Sequence, residues 1–382
     1  MPAHRTRPTR ASAPTLASSS PQALVFGAVI VGCLSTGICG GLLRAGVVLP
    51  DAISGPWLGR AAASHAFLMI CAFMGTVIAI ERAVALKHRA AFAAPVSSAL
   101  AGVGVLAGFA MAAAWLAVFA AAAFVAVNAL IVVRQRAAHT ALLLVAAIAW
   151  LIGNVGWASI GSAHAAVPWW FAFLVLTIAA ERLEMTRLMP RRPGASAALY
   201  VVLGSLLGGC ALFAVSPVWG GLVYGASLIA LAGWLLCFDV ARRTVFGSGL
   251  SRYMAVCLLL GYFWLAIAGV SWAATALGLP LMDAALHALA LGFVFSMMLG
   301  HAPVIVPALT GIRLRFGAAF YLPLALLHAS LAVRLLLPTV DVGFFAAGAA
   351  GNALALVLFA MTLAASAMAW RFRPATLRNK AQ

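Results

Sequence analysis

Polar positions in this chain are sparse and come in short bursts between long apolar runs. Twelve runs are close to the roughly 20 apolar residues that a helix needs to cross a bilayer. They are 23–43, 62–86, 93–111, 114–133, 139–160, 164–184, 196–214, 219–239, 253–276, 284–308, 317–337 and 343–370. Residues 93–133 form an almost unbroken alanine-rich stretch, too long for one span, and are read as two helices with a tight turn near Met111 to Ala114. Residues 22–370 thus predict one all-α polytopic membrane domain. It is flanked by basic tails at 1–21, read as disordered, and at 371–382.

The basic residues support that division. With the N-terminus placed inside, the tails and alternate loops collect all 24 Lys and Arg residues except Arg44, Arg60 and Arg334. Fusing 93–133 into one helix would invert every later loop and destroy the bias, so both termini are expected to be cytoplasmic. A bacterial inner (plasma) membrane is the expected location. Composition agrees: 65% of residues are hydrophobic and 8% charged, where soluble domains run near a quarter charged. The net charge of +17 would suit a nucleic acid. It lies in short runs between spans rather than on one face, which argues against that partner and for the lipid bilayer.

The acids matter by position. Glu81, Glu181, Glu184 and Asp239 lie at inner helix ends, and Asp51, Asp283 and Asp341 at or near outer ends. None falls at the midplane, where proton pumps and proton-coupled carriers keep ionisable groups, and this weighs against both classes. The six cysteines fall in predicted helices without metal or redox spacing and are read as packing residues.

Histidines carry the candidate chemistry. His65, His164 and His287 begin HAFLMICAFMGTVIAIERAVAL, HAAVPWWFAFLVLTIAAERLEM and HALALGFVFSMMLGHAPVI, the second, sixth and tenth spans. Each lies within about one turn of the outer end, roughly 5 Å deep. The first two segments also close alike, on Glu81-Arg82 and Glu181-Arg182. The unit recurs every four helices, an internal repeat of the kind that reveals architecture. Three imidazoles at one depth are read either as interfacial groups bonded to headgroups and water, or as axial ligands of a haem. The haem reading needs neutral ring nitrogens facing each other across a low-dielectric slot. His65 and His287 are the best pair, with Phe67, Met69, Phe73, Met74, Phe293 and Phe295 as candidate walls; core packing explains those walls equally well.

Fourteen residues at 100° each bring His301 to within about 40° of His287, about 21 Å further along the helix. Met297 and Met298 precede His301 by one turn. The set is read as a copper site, since thioethers suit Cu(I), as a second haem ligand, or as a buried histidine bonded to a backbone carbonyl. His328 lies near the middle of span eleven, where an unsatisfied ring is costly, and His301 is its expected partner. Trp157, Trp169 and Trp170 are read as an interfacial aromatic belt, or as a shield over a haem pocket.

A twelve-helix protein with this repeat resembles the catalytic subunit of haem-copper oxidases, which is built of three four-helix arcs. In that family histidines on helices two and ten hold a low-spin haem, and His65 and His287 match those positions by helix and depth. The stretches HAFLMICAFMGTVIAIERAVAL and HALALGFVFSMMLGHAP more closely resemble the NnrS family of haem- and copper-containing bacterial membrane proteins associated with nitric-oxide stress. The general shape covers nearly the whole chain and the motifs about a tenth of it. The resemblance implies haem b on His65 and His287 with His164 nearby. It also implies copper at a set drawn from His301, His328 and Met298, and a redox partner or diatomic gas as ligand. The oxidase pattern is broken at two places. Positions 285 and 289, where a second haem ligand would stand, are Ala285 and Leu289, and the seventh span carries no histidine for the oxidase copper site. Oxygen reduction is therefore not expected. Two other classes remain open: a secondary transporter with a histidine-lined substrate site, which parallel repeats fit less well than inverted ones, and a membrane scaffold without cofactor.

Overall fold

The computed structural model describes residues 21–161, 163–185 and 193–372. The basic tails expected at 1–21 and 371–382 lie outside this set, apart from Pro21, Arg371 and Phe372, as do Arg187, Arg191 and Arg192 of the long loop. The described chain is helical, and twelve helices are long and apolar enough to cross a membrane: α1 (Val25–Arg44), α2 (His65–Leu86), α3 (Arg89–Ala107), α4 (Ala110–Arg134), α5 (Ala138–Ile160), α6 (Ala163–Met185), α7 (Ala195–Phe213), α8 (Pro217–Phe238), α9 (Gly249–Ala276), α10 (Met282–Thr310), α11 (Ala318–Thr339) and α12 (Gly343–Arg371). The chain is a multi-pass membrane protein. In lipid every backbone polar group must be satisfied within the segment, and continuous helices do this.

The alanine-rich run does divide in two, but the turn falls earlier than the sequence suggested. Gly108 takes φ 97° and ends α3, and α4 begins at Ala110, so Met111 to Ala114 are helical. The Gly108 amide donates to the Val105 carbonyl at 3.1 Å and the Phe109 amide to the Gly104 carbonyl at 2.9 Å. This is the pair of bonds that closes a helix on a left-handed glycine. The side chain of Arg60, one of the three basic residues off the inner side of the charge pattern, donates to the Leu106 carbonyl at 2.6 Å and so caps the same helix end.

Neighbours in sequence pack as neighbours in space, and α1 also touches α12, so the first and last spans adjoin. The core is built on close approaches to aromatic rings. A Cβ at Gly75 would lie 2.6 Å from Trp150, and one at Gly292 would overlap Trp264, so in both places only a glycine lets the ring lie on the backbone. Trp170 is fully buried and donates to Asn154 Oδ1 at 3.0 Å. This corrects the aromatic-belt expectation for that residue. Trp157 stacks on Phe67 at 4.3 Å and meets Trp170 edge-on at 5.9 Å.

At the opposite end from the three repeat histidines, Arg82 contacts both Glu81 (3.1 Å) and Glu181 (3.6 Å), tying the matching ends of α2 and α6 together. Arg182 pairs with Asp239 at 3.5 Å, both side chains being almost wholly buried.

Candidate functional site: two facing imidazoles in an amphipathic cavity

Helices α2 and α10 share a departure from regular geometry. Each carries an eight-residue π-helical segment, Leu68–Gly75 in α2 and Ala288–Phe295 in α10, beginning three residues after His65 and one after His287. Such segments widen the turn and are frequent at functional sites. Here they occur at corresponding places in the two repeats. Nothing in the apolar spacing marks them.

The rings of His65 and His287 face each other with centroids 6.4 Å apart and planes 24° apart. His65 Nδ1 lies 2.7 Å from the Gly37 carbonyl on α1. His287 Nδ1 lies 3.0 Å from the Asp283 carbonyl and 2.9 Å from its carboxylate Oδ1. Carbonyl and carboxylate oxygens only accept, so both Nδ1 atoms carry the proton, and in its neutral form each ring would keep the lone pair on Nε2. With metal–imidazole bonds of about 2 Å and a ring radius of about 1.2 Å, two imidazoles on opposite sides of one metal ion would hold their centroids roughly 6.4 Å apart. The observed separation fits that arrangement. Gly41 makes room on one side, since a Cβ there would lie 2.6 Å from His65 Cε1.

The Asp283 carboxylate is itself held. Arg334 on α11 donates to it twice, from Nε to Oδ2 at 3.0 Å and from Nη2 to Oδ1 at 2.7 Å. The guanidinium sits 5.0 Å over the Phe345 ring. Sequence reasoning missed this unit. Its signal was present, because Arg334 breaks the charge pattern of the loops and Asp283 lies four residues before His287, one helical turn away.

Two adjoining cavities meet at the imidazole pair. One, of about 120 Å³, is almost wholly apolar, lined by residues such as Met69, Ile70, Phe171, Leu174, Val294 and Leu356. The other, about 540 Å³, lies toward the histidine ends of the helices and is lined by Arg44, His164, Asp283, Arg334 and Trp272 among others. His65, His287 and Arg334 line both. The combined space is apolar at one end and cationic at the other. This suits a flat amphiphile with an anionic edge, and haem b, with its two propionates, has that chemistry. The two remaining exceptions to the charge pattern, Arg44 and Arg334, are thus part of this cavity. His164 is exposed at its polar end, 5.4 Å edge-on from Phe213, and does not line the apolar half.

His301 and His328 behave differently from the expected pair. His328 Nδ1 accepts from Trp264 Nε1 at 2.8 Å, so its proton is on Nε2, which lies 3.3 Å from Ser296 Oγ; Ser296 in turn donates to the Cys257 carbonyl at 2.7 Å. Both nitrogens of His328 are engaged, and neither partner is His301. A metal would have to displace one of these bonds. His301 Nδ1 donates to the Met297 carbonyl of its own helix at 2.7 Å, the backbone-bonded reading. Met297 is buried with its Cε against Gly261, and Met298 is half-buried. Among the described residues no group of three or more His, Cys, Asp or Glu side chains is placed to hold a metal ion.

Twelve helices long and apolar enough to cross a membrane define the class: a multi-pass membrane protein, here with two imidazoles lining a pair of adjoining cavities. Residues 23–368 match a family described as Domain of unknown function (DUF8744), and the chain belongs to that family. No curated protein and no solved structure matches it.

Proposed function

We propose that the protein is a haem-b-binding membrane protein of the NnrS-like, haem-copper-related type, with His65 and His287 as the axial ligands. The observation that carries this reading is the juxtaposition of the two imidazoles, with ring centroids 6.4 Å apart and both Nδ1 atoms engaged by oxygen acceptors. When bound, haem supplies one-electron transfer and, with one axial position free, affinity for a diatomic gas such as nitric oxide.

The chain's own residues have separable tasks under this reading. Gly37 and Asp283 hold the two rings in the required tautomer. Met69, Phe171 and Leu174 exclude water from the apolar edge. Arg44 offers positive charge at the polar edge, where propionates would lie. The grouping of His65, His164 and His287 on one cavity, and of Arg82 with Glu81 and Glu181 at the other helix ends, supports a repeat of three four-helix arcs. The charge pattern of the loops supports cytoplasmic termini in a bacterial inner membrane. The wider cationic cavity is the observation that favours the alternative, a transporter for an anionic substrate.

The visible spectrum of the purified protein before and after dithionite separates the two. A Soret band that shifts on reduction, with sharp α and β bands, is the expected result. A colourless preparation with no extractable haem would overturn the haem reading and leave the transporter standing.

A further inference from the structure

The two imidazoles are held by unequal partners. His65 Nδ1 donates to a neutral carbonyl, Gly37 O. His287 Nδ1 also has a carbonyl, Asp283 O at 3.0 Å, and in addition lies 2.9 Å from the Asp283 carboxylate, which is itself fixed by two hydrogen bonds from Arg334. A carboxylate behind a metal-bound histidine fixes its orientation and raises its basicity more than a carbonyl does. Arg334 moderates that charge while holding its direction.

Both supports are packed. Arg334 is 7% exposed, and a Cβ at Gly348 would lie 2.5 Å from its backbone nitrogen, so α11 and α12 close tightly around it. Gly37 is buried on α1. The anchors therefore differ in charge and in the number of groups that hold each ring, not in enclosure.

Resting on the haem reading, we infer that Asp283 and Arg334 are positioning residues that make His287 the permanent axial ligand, and that His65 is the ligand that yields when a diatomic gas binds. Release of His65 needs one carbonyl hydrogen bond to break. Release of His287 would leave a paired carboxylate facing an empty slot.

Carbon monoxide is the probe, added to the dithionite-reduced, full-length protein. The iron–histidine stretching band is recorded by resonance Raman after photolysis, in wild type and in Asp283→Asn. If His287 stays bound, the band falls in frequency in the variant, because the strong acceptor behind the ring is lost; if His65 stays bound, it does not move, and the inference is overturned. Ferrous wild type that binds no carbon monoxide also overturns it. A second measurement is haem content per protein in His65→Gly and His287→Gly, with helical circular dichroism as the folding control. The expected result is near-stoichiometric haem in the first and at least tenfold less in the second, within the 10–100-fold range that ligand-shell losses produce. Equal retention, or the reverse order, overturns the asymmetry alone, since haem in the wild type keeps the parent reading intact. Wild type without haem removes both.

Discussion

Phe73 and Phe295 stack with ring centroids 6.3 Å apart and planes 17° apart. Each lies eight residues after its histidine, His65 or His287, near the end of its π-helical segment. The two helices therefore meet twice in matching register, once through imidazoles and once through phenyl rings. The phenyl pair closes the space inward of the imidazoles. It should behave as a coupled unit: in a double-mutant cycle of Phe73→Leu and Phe295→Leu, thermal unfolding in detergent should give a coupling of about 0.5–1.5 kcal/mol, the range for aromatic pairs. Strict additivity would mean that the rings do not act together.

Gly41→Val should empty the site without dismantling the bundle. A Cβ there meets the His65 ring at 2.6 Å, and because α1 packs against α2 the ring must turn away from His287. Haem content should fall at least tenfold while helical circular dichroism is retained. Gly27→Val, where nothing lies within 4 Å of the added Cβ, is the matched control on the same helix and should keep its haem.

His328→Phe should destabilise the protein and leave the haem spectrum unchanged. It strands the Trp264 indole N–H and one bond of Ser296 in the membrane interior, at about 1–3 kcal/mol for an unsatisfied buried group. Thermal unfolding reads the loss, and the reduced α band reads the unaltered axial ligands. A shifted α band would return His328 to the list of ligands.

Asp239→Ala should be among the most damaging single changes outside the site. Asp239 accepts from the Ala241 amide at 2.7 Å and pairs with Arg182, with both side chains nearly inaccessible. Removing one member of a buried pair costs about 3–5 kcal/mol. Yield and unfolding midpoint should fall together, and Arg182→Ala should do the same.

Much of this architecture is legible in the sequence, because the bilayer imposes a length and lipid imposes a composition. The twelve spans, the split at 93–133, and the pairing of His65 with His287 all follow from those constraints and from the repeat. The alanine-rich turn was placed three residues late because hydropathy is flat there, and the information lies in one glycine's left-handed backbone. The π-helical segments were invisible for a related reason. A constant 100° per residue was carried from His287 to His301 across Ala288–Phe295, where that rotation does not hold. The proton positions of His65, His287 and His328 depend on which acceptor or donor another helix presents to Nδ1, and a single sequence does not encode that contact in any spacing. Arg334 was the one such contact with a readable sign, since an arginine off the expected side of a membrane needs a partner.

The anchors of the two imidazoles lie far apart along the chain, and this sets a timetable. Gly37 and His65 emerge from the ribosome early, while Asp283 and His287 come late and Arg334 later still. At about 5–20 residues per second, the 222 residues from His65 to His287 take roughly 11–44 s to synthesise. Throughout that interval the first imidazole is already in the membrane with no counterpart. Whatever occupies the slot must arrive after nearly the whole protein has been inserted, and sideways or from the polar end, because the helices that enclose it are by then in place.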